Sequence, residues 1–139
     1  MIFKLILPEQ IHVVVPLVQT MEKEPISDAI LLQRFREMTE QNYECVGGFL
    51  DGQLVAVSGM WFCTRHYSGR SVEIDHVVVE KSYRNQGIGQ KLIQWMEQYA
   101  SSKGCETVEL NAYLDNEMSH KFYQRQGYKQ LGFHFLKSI

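Results

Sequence analysis

The feature of this sequence that most restricts its fold is an extended apolar run that leads, through a short loop, into a long amphipathic segment. The run covers residues 71–79 and ends in three β-branched residues, Val77, Val78 and Val79, which favour a central strand. In residues 87–103 the apolar positions recur at a spacing of three and four, as they do on one face of an α-helix. The sequence therefore predicts a strand, a loop and a helix in succession.

The rest of the chain alternates between strand and helix signals. Asp51 and Gly52 separate two extended runs, and this pair of residues strongly favours a hairpin turn. Pro8 is expected to open a helical stretch, and Ser27 is expected to cap a second helix. The further predictions are strands over residues 2–7, 45–50, 54–63, 107–112 and 133–136, and a helix from Asp115 to Gln126 that Gly127 ends. This order predicts a mixed α/β fold.

The loop before the long helix combines a basic residue with two glycines in the run Arg84-Asn85-Gln86-Gly87-Ile88-Gly89. Glycines let the backbone approach a bulky anion, and the N-terminus of a helix offers N–H groups with a partial positive charge. The run is neither the dinucleotide-binding pattern nor a P-loop, since no Gly-Lys-Ser/Thr follows and no acidic ribose partner is evident. It indicates a phosphate-binding loop of another kind.

Two segments together resemble the signatures of the GNAT superfamily of N-acetyltransferases. The run from Val79 to Gly89 is similar to its acetyl-CoA signature, Gln/Arg-x-x-Gly-x-Gly/Ala. The run from Asn116 to Tyr128 resembles its second hallmark, an Asn followed by a Phe-Tyr pair and a Gly-aromatic helix end. Lys81 stands where a proline is frequent and Tyr128 where Phe is commoner. Neither difference touches the phosphate loop, and the resemblance covers residues 72–128 in detail.

This resemblance implies a fold and a cosubstrate. One GNAT domain is expected over residues 1–139, α/β (α+β) in class, with a mixed, mostly antiparallel central sheet of about six to seven strands flanked by about four helices. A splayed parallel strand pair would hold acetyl-CoA, whose pantetheine arm lies in the gap like an extra strand. No metal is expected. The residues that would bind the cosubstrate are Val77, Val78 and Val79 on the strand, Arg84, Asn85, Gln86, Gly87, Ile88, Gly89 and Gln90 at the pyrophosphate, and Asn116.

The same resemblance assigns Tyr123 as the general acid that protonates the CoA thiolate as it leaves. A phenol has a reference pKa of about 10 and stays protonated at neutral pH, yet it lies near the value of about 8.5 for a thiol. Proton transfer between the two is therefore nearly balanced. The alternative for Tyr123 is a packing role beside Phe122.

An attacking alkylamine is almost entirely protonated at neutral pH, because its reference pKa is about 10.4. A base is therefore useful, and Glu73 aligns with the glutamate that serves as base in the histone-acetylating branch of the superfamily. Asp75 and His76 are rivals, acting directly or through water. The family often has a bulge in this strand, which would change the side chains that share a face, and the sequence does not locate it.

Cys63 and Cys105 have no adjacent base or orienting pair in sequence, as an acetylated enzyme intermediate would require. We expect both to be buried structural thiols. The amine is then expected to attack acetyl-CoA directly in a ternary complex, in which orientation supplies much of the acceleration.

Charge and composition narrow the class of partner. The chain has a formal net charge of -2 and lacks the basic patch that a nucleic-acid partner requires. Its opening apolar run is too short to span a bilayer. Three widely spaced cysteines indicate reduced thiols, so we expect a cytoplasmic protein with no membrane partner. A homodimer is suggested by the habit of the family alone.

The amine acceptor is the part of the function that the sequence determines least. Residues 19–42 are acidic and suit a cationic amine, whereas Arg65, His66 and Arg70 could receive an anionic group. The length and the C-terminal run resemble the branch that contains aminoalkylphosphonate acetyltransferases, so we expect a primary amine on a small molecule. Aminoglycosides and polyamines stay open, and the alternatives are a protein N-acetyltransferase and a noncatalytic acyl-CoA binding or sensing module.

Overall fold

The computed structural model describes all 139 residues. It contains five strands, four α-helices and two 3₁₀ segments. In chain order these are β1 (Ile2–Ile6), a 3₁₀ segment (Pro8–Val14), α1 (Val15–Gln19), α2 (Asp28–Thr39), β2 (Tyr43–Leu50), β3 (Gln53–Arg65), β4 (Gly69–Val79), a second 3₁₀ segment (Lys81–Tyr83), α3 (Ile88–Ser102), β5 (Thr107–Leu110) and α4 (Glu117–Arg125). Contacts group the chain into two compact units, residues 1–109 and residues 110–139. The expectation of one domain over the whole chain stays a prediction.

The five strands form one mixed sheet in the order β1-β2-β3-β4-β5. The first four strands are antiparallel neighbours, whereas β4 and β5 run parallel, since α3 carries the chain back between them. The mixed, mostly antiparallel α/β fold is thereby confirmed, with five strands where about six to seven were expected. None of the helices combines the length and hydrophobicity that crossing a membrane requires.

The hairpin between β2 and β3 turns at Asp51 and Gly52, as the sequence predicts. Their φ angles are 49° and 81°, and positive values at both central residues are typical of the turn that matches the twist of antiparallel strands. From this turn β2 pairs with β3 along its whole length, as far as Tyr43 opposite Trp61, with one register shift between Gly48 and Phe49.

Helices cover both faces of the sheet in the first unit. On one face, Phe35 of α2 lies 6.5 Å from Tyr43 of β2, measured between ring centroids, within a core that α1 and α2 share with Val57 and Val78. On the other face, Phe62 of β3 lies 6.4 Å from Tyr99 of α3. The first face matters here, because the candidate catalytic side chains of β4 lie on it.

The predicted helix cap is correct for α2 and lies one residue too early for α4. The Ser27 hydroxyl accepts a hydrogen bond from the N–H of Ile30 at 3.2 Å, so its predicted cap on α2 is confirmed. Pro8 opens a 3₁₀ segment rather than an α-helix. At α4 the cap is Asn116, whose Oδ1 accepts from the N–H of Ser119 at 3.1 Å, one residue later than the Asp115 cap that was predicted.

In the second unit, a glycine follows the end of α4, and no strand comes after it. Gly127 has a φ of 93°, and the N–H of Tyr128 donates to the carbonyl of Tyr123 at 3.1 Å, which is the hydrogen bond of a Schellman helix end. The predicted strand over residues 133–136 is wrong, because no element follows α4. An alternating pattern forms a strand only where a ladder partner is present, and Phe133 and Phe135 are 66% and 89% exposed.

Candidate active site

A β-bulge interrupts β4 and defines the site. Val57 of β3 lies opposite Val78, and Gly59 lies opposite Asp75, so the single residue Ser58 faces two residues of β4, His76 and Val77. The Ser58 hydroxyl donates to the carbonyl of Asp75 at 2.9 Å. His76 has a φ of 38°, a conformation that costs a residue other than glycine on the order of 1–3 kcal/mol. The extra residue bends the strand and increases its twist at this point.

Before the bulge, the outer edge of β4 is paired with β5. The N–H of Glu106 donates to the carbonyl of Arg70 at 2.6 Å. Since the backbone groups of successive residues point to opposite edges of a strand, the even-numbered residues of this first half face β5.

After the bulge, the parity of the outward-facing residues is reversed. The N–H of Glu80 donates to the carbonyl of Val55 in β3 at 2.8 Å. By the same alternation, the backbone of Val78 also faces β3, while the backbone groups of Val77 and Val79 face the outer edge. The bulge therefore decides which amides this edge presents.

β5 is too short to pair with the second half of β4. It has four residues, whereas β4 has eleven, and the bond between Glu106 and Arg70 sets it beside the first half. The outward groups of Val77 and Val79 thus have no ladder partner in β5. An edge of this kind can bind an extended chain by main-chain hydrogen bonds.

The loop after β4 leaves open space at the start of α3. Asn85 and Gly87 both have positive φ angles, 60° and 78°, and Gly87 caps α3 without a side-chain hydrogen bond. A Cβ built on Gly87 would meet no atom within 4 Å, so the backbone there is open to a ligand. These features fit a phosphate group, because uncapped N–H groups at a helix start bind anions.

Side chains brace this loop from within. Arg84 Nε donates to the carbonyl of Val79 at 2.9 Å, which ties the loop to the outer edge of β4. Gln86 Nε2 donates to the carbonyl of Ser82 at 3.2 Å, and the Glu80 carboxylate accepts from the N–H of Ser82 at 3.0 Å. The strand edge and the loop therefore form one connected surface.

The ring of His76 lies inside the protein, against β2 and α2. A hydrogen bond of 2.6 Å joins its Nε2 to the Tyr43 hydroxyl, and the Phe35 ring packs edge-on against it at 5.3 Å. Nδ1 is inaccessible to solvent and has no hydrogen-bond partner. Desolvation lowers the pKa of His76, an effect that the nearby Asp75 carboxylate partly opposes, and burial raises the pKa of Tyr43. A neutral imidazole therefore lies beside a protonated phenol.

Glu73 and Asp75 share one face of β4, as their spacing in an ideal strand predicts, because the bulge follows both of them. Glu73 Oε2 lies 2.8 Å from Arg65 Nη2, and Arg65 Nε lies 2.7 Å from Glu109 Oε2. The guanidinium of Arg65 thus links β3, β4 and β5 beside the first half of β4, where β5 lies.

Asp75 uses both carboxylate oxygens. Oδ2 accepts a hydrogen bond from Trp61 Nε1 at 3.1 Å, and Oδ1 accepts one from the N–H of His76 at 2.8 Å. Both oxygens of this carboxylate therefore already accept hydrogen bonds, one from a side chain of β3 and one from the backbone of β4.

The sequence analysis missed Tyr43 and Gly59, which complete this arrangement. Gly59 lies opposite Asp75 and Cys45, and a glycine inside a strand can mark a close approach between groups. That signal was available in the sequence, but it does not say which groups approach.

Tyr123 lies on α4, in the second unit, among aromatic neighbours of the same unit. Its ring centroid lies 5.2 Å from that of Phe122 and 5.9 Å from that of Tyr128. Burial raises the pKa of Tyr123 above its usual value, so the phenol is protonated throughout the neutral range. Asn116, at the start of α4, uses its side-chain oxygen to cap that helix.

The cysteines are free, but their burial differs from the expectation. Cys63 is exposed and Cys105 is intermediate, so the prediction that both are buried is wrong. Cys63 lies near the end of β3, where the side chains are no longer buried. Cys45 is buried instead, and burial raises the pKa of its thiol to about 12. No group of three or more His, Cys, Asp or Glu side chains lies close enough together to hold a metal ion.

Comparisons with known proteins agree with this geometry. The profile of the Acetyltransferase (GNAT) family matches residues 12–128. The aminoalkylphosphonate N-acetyltransferase of Salmonella typhimurium is 38% identical over 53% of this chain and 48% of its own length. The thialysine N-epsilon-acetyltransferase of Mus musculus is 35% identical over 60% of this chain and 50% of its own length. The chain thus spans about half the length of these curated relatives.

The fold is also shared with solved structures. The ribosomal-protein-alanine N-acetyltransferase from Brucella melitensis biovar Abortus 2308 superposes with a TM-score of 0.83 at 20% identity, over 100% of both chains. At this identity the likeness concerns the fold. The profile match covers most of the chain and includes the bulged strand, the loop before α3 and the helix with Tyr123. This chain belongs to the Acetyltransferase (GNAT) family.

Proposed function

We propose that this chain transfers the acetyl group of acetyl-CoA to a primary amine on a small molecule, by direct attack of the amine in a ternary complex. The observation that carries the proposal is the connected surface from the outer edge of β4, at Val77 and Val79, to the uncapped start of α3 at Gly87. A pantetheine arm matches the first part, because it can bond like an added strand. A pyrophosphate matches the second.

The cosubstrate residues have distinct parts in this proposal. Val77 and Val79 offer backbone groups to the pantetheine arm, while Val78 contributes through its position between them, since its own backbone faces β3. Backbone N–H groups at the pyrophosphate come from Arg84, Asn85, Gln86, Gly87, Ile88, Gly89 and Gln90. Asn116 is proposed to bind the pantetheine through the side-chain nitrogen that its capping bond leaves over.

Tyr123 is proposed as the general acid that protonates the departing CoA thiolate. Its support is its place in the second GNAT-like signature. Burial raises the pKa of the phenol, which keeps the proton on the residue at neutral pH but widens the gap to the pKa of a thiol. Thioester aminolysis then releases one thiol and one amide, and the proton lost by the amine goes to the base.

Glu73 is proposed as the base, directly or through water. Of the three candidates, Asp75 accepts hydrogen bonds at both oxygens, and the free ring nitrogen of His76 is closed to solvent. Both facts favour Glu73, which Arg65 orients at 2.8 Å.

The proposed acceptor class rests on the names of the relatives, and the proposed location rests on the free thiols. Aminoalkylphosphonate and thialysine acetyltransferases are named for small molecules that carry an amine, so a small primary amine is proposed for this chain. Three free cysteines suit a reducing compartment, and a cytoplasmic location is part of the proposal. A homodimer stays a prediction.

The test combines binding and turnover in one preparation. Acetyl-CoA is titrated by calorimetry, and thiol release is then followed against aminoalkylphosphonates, lysine analogues, polyamines, aminoglycosides and a peptide amine. Thiol release with a small amine supports the proposal. Thiol release with the peptide amine alone would instead identify a protein N-acetyltransferase. Binding without release on any amine would identify a noncatalytic acyl-CoA module.

The acid is tested by removing one hydroxyl. Tyr123→Phe is expected to lower turnover by about 10²–10⁴-fold with little change in acetyl-CoA affinity, since the phenol acts on the leaving group. Tyr128→Phe is the matched control in the same unit and should retain turnover. Equal loss of affinity and turnover in Tyr123→Phe would exclude the acid role.

A further inference from the structure

We propose that Tyr43 is a positioning residue for acetyl transfer: its hydroxyl, through the ring of His76, holds the bulge of β4 and with it the edge that receives acetyl-CoA. The inference rests on the proposed function, because it assigns a second residue to the same site. Tyr43 itself lies in the core and contacts no part of the proposed cosubstrate surface.

The bulge requires support from outside its own strand. His76 adopts a φ of 38°, and a residue other than glycine keeps such a conformation only where its surroundings over-determine it. The bond from the His76 N–H to Asp75 Oδ1 is internal to β4 and cannot fix the strand against the sheet. The bond from Ser58 to the carbonyl of Asp75 fixes the residue before the bulge. The ring of His76, held by Tyr43, fixes the bulged residue itself.

The tie between Tyr43 and His76 crosses an entire strand. Tyr43 belongs to β2 and His76 to β4, and β3 lies between them. The path is open because the residue beneath it is Gly59: a Cβ there would lie 2.8 Å from the Tyr43 hydroxyl oxygen and closer still to His76 Nε2. Phe35 of α2 closes the arrangement by packing edge-on against the His76 ring. Three strands and one helix thus converge on one imidazole.

The position of the bulge decides what the strand edge offers. With the extra residue at His76 and Val77, the groups of Val77 and Val79 face outward. If the bulge moved or closed, the even-numbered residues would face the outer edge after this point as they do before it. The edge would then present the backbone groups of Val78 in place of those of Val77 and Val79. The Tyr43 hydroxyl therefore controls cosubstrate binding at a distance, by holding one register.

The test removes the hydroxyl and measures binding. Tyr43→Phe keeps the buried ring and deletes the bond to His76. Tyr99→Phe is the matched control, since its hydroxyl also bonds a side chain, donating to Glu44 Oε1 at 2.9 Å, on the other face of the sheet. Calorimetric titration with acetyl-CoA should show affinity about tenfold weaker for Tyr43→Phe and unchanged for Tyr99→Phe. Urea unfolding of both variants gives the change in stability.

A second pair of variants tests the ring. Asn accepts positive φ angles far better than Ala and keeps a polar side chain, so His76→Asn should retain more acetyl-CoA affinity than His76→Ala. Unchanged affinity in Tyr43→Phe, whatever its stability, would overturn the inference, and so would equal affinity of His76→Asn and His76→Ala.

Thiol release is recorded separately for each variant, so that the two proposals can fail independently. Weakened binding in Tyr43→Phe with no turnover by the wild type on any amine would contradict the proposed function and leave the positioning role in place. Failure of the wild type to bind acetyl-CoA would overturn both.

Discussion

Gly59 lies beneath Tyr43 at a point where no side chain fits: a Cβ on Gly59 would approach Cε2 of the Tyr43 ring to 2.5 Å. Such a distance is shorter than a carbon–carbon contact tolerates. β3, which separates Tyr43 from His76, therefore requires a glycine at this position.

Gly59→Ala should destabilise the protein by about 1–3 kcal/mol, because overpacking a well-filled core forces neighbouring side chains away from their preferred positions. Urea unfolding measures the change in the free energy of unfolding. Gly132→Ala is the control, since a Cβ there would meet no atom within 4 Å. Equal stability of the two variants would contradict the close approach at Gly59.

Stability should fall as the pH drops below about 6.5, the value for an unfolded histidine. The folded-state pKa of His76 is lowered by desolvation, so between the two values the unfolded state binds a proton that the folded state does not. Stability is therefore fully present above the unfolded pKa and is lost as the pH falls toward the folded one. Urea unfolding between about pH 5 and 8 measures this slope.

The control for that slope is His76→Asn, which carries no titrating group at the bulge. Carboxylates elsewhere contribute equally to both proteins, so the wild type should lose more stability than the variant over this window. Parallel pH profiles would show that His76 does not bind protons differently in the folded and unfolded states.

Gly87→Ala should weaken acetyl-CoA binding by at least about tenfold, because the methyl group would stand in the open space of the phosphate-binding loop. Gly52→Ala is a matched control: it also has a positive φ, 81°, and no atom within 4 Å of its Cβ, but it lies in the hairpin turn. Both variants carry the same backbone strain. Calorimetry that finds equal affinity for the two would exclude Gly87 from the cosubstrate site.

Glu73→Gln should lower turnover by about 10²-fold or more, since the amide cannot accept the proton of the amine. Glu109→Gln is the matched control, because Glu109 binds the same guanidinium, at 2.7 Å from Arg65 Nε. Steady-state thiol release over a pH series measures both. If the two variants lose turnover equally, Glu73 acts through the ion pair and not as the base.

The loop before α3 and the hairpin could be predicted because their signals are local. The positive φ angles at Gly87 and at Asp51 and Gly52 follow from residue types that tolerate them within a few positions of the chain. The order of strands and helices around them follows from periodicity in the same way.

The position of the bulge could not be predicted, because a bulge belongs to the pairing of two strands and not to one strand. Whether Ser58 faces one residue of β4 or two depends on the register between β3 and β4, and the side chains that meet at this point, Tyr43 and His76, are 33 positions apart in the sequence. The prediction of a C-terminal strand was wrong for the same reason. Residues 133–136 have the pattern of a strand, but a pattern does not supply a ladder partner.

The sequence by itself determined the family, the strand-loop-helix unit that suits a phosphate, and the residue types available for acid and base chemistry. The tertiary structure alone decided which backbone groups of β4 face outward, that Arg65 holds Glu73, and that His76 is a neutral ring inside the core. The physical reason is that conformational preferences act over a few residues, whereas register, burial and the pKa shifts that follow from burial arise when distant strands pack together.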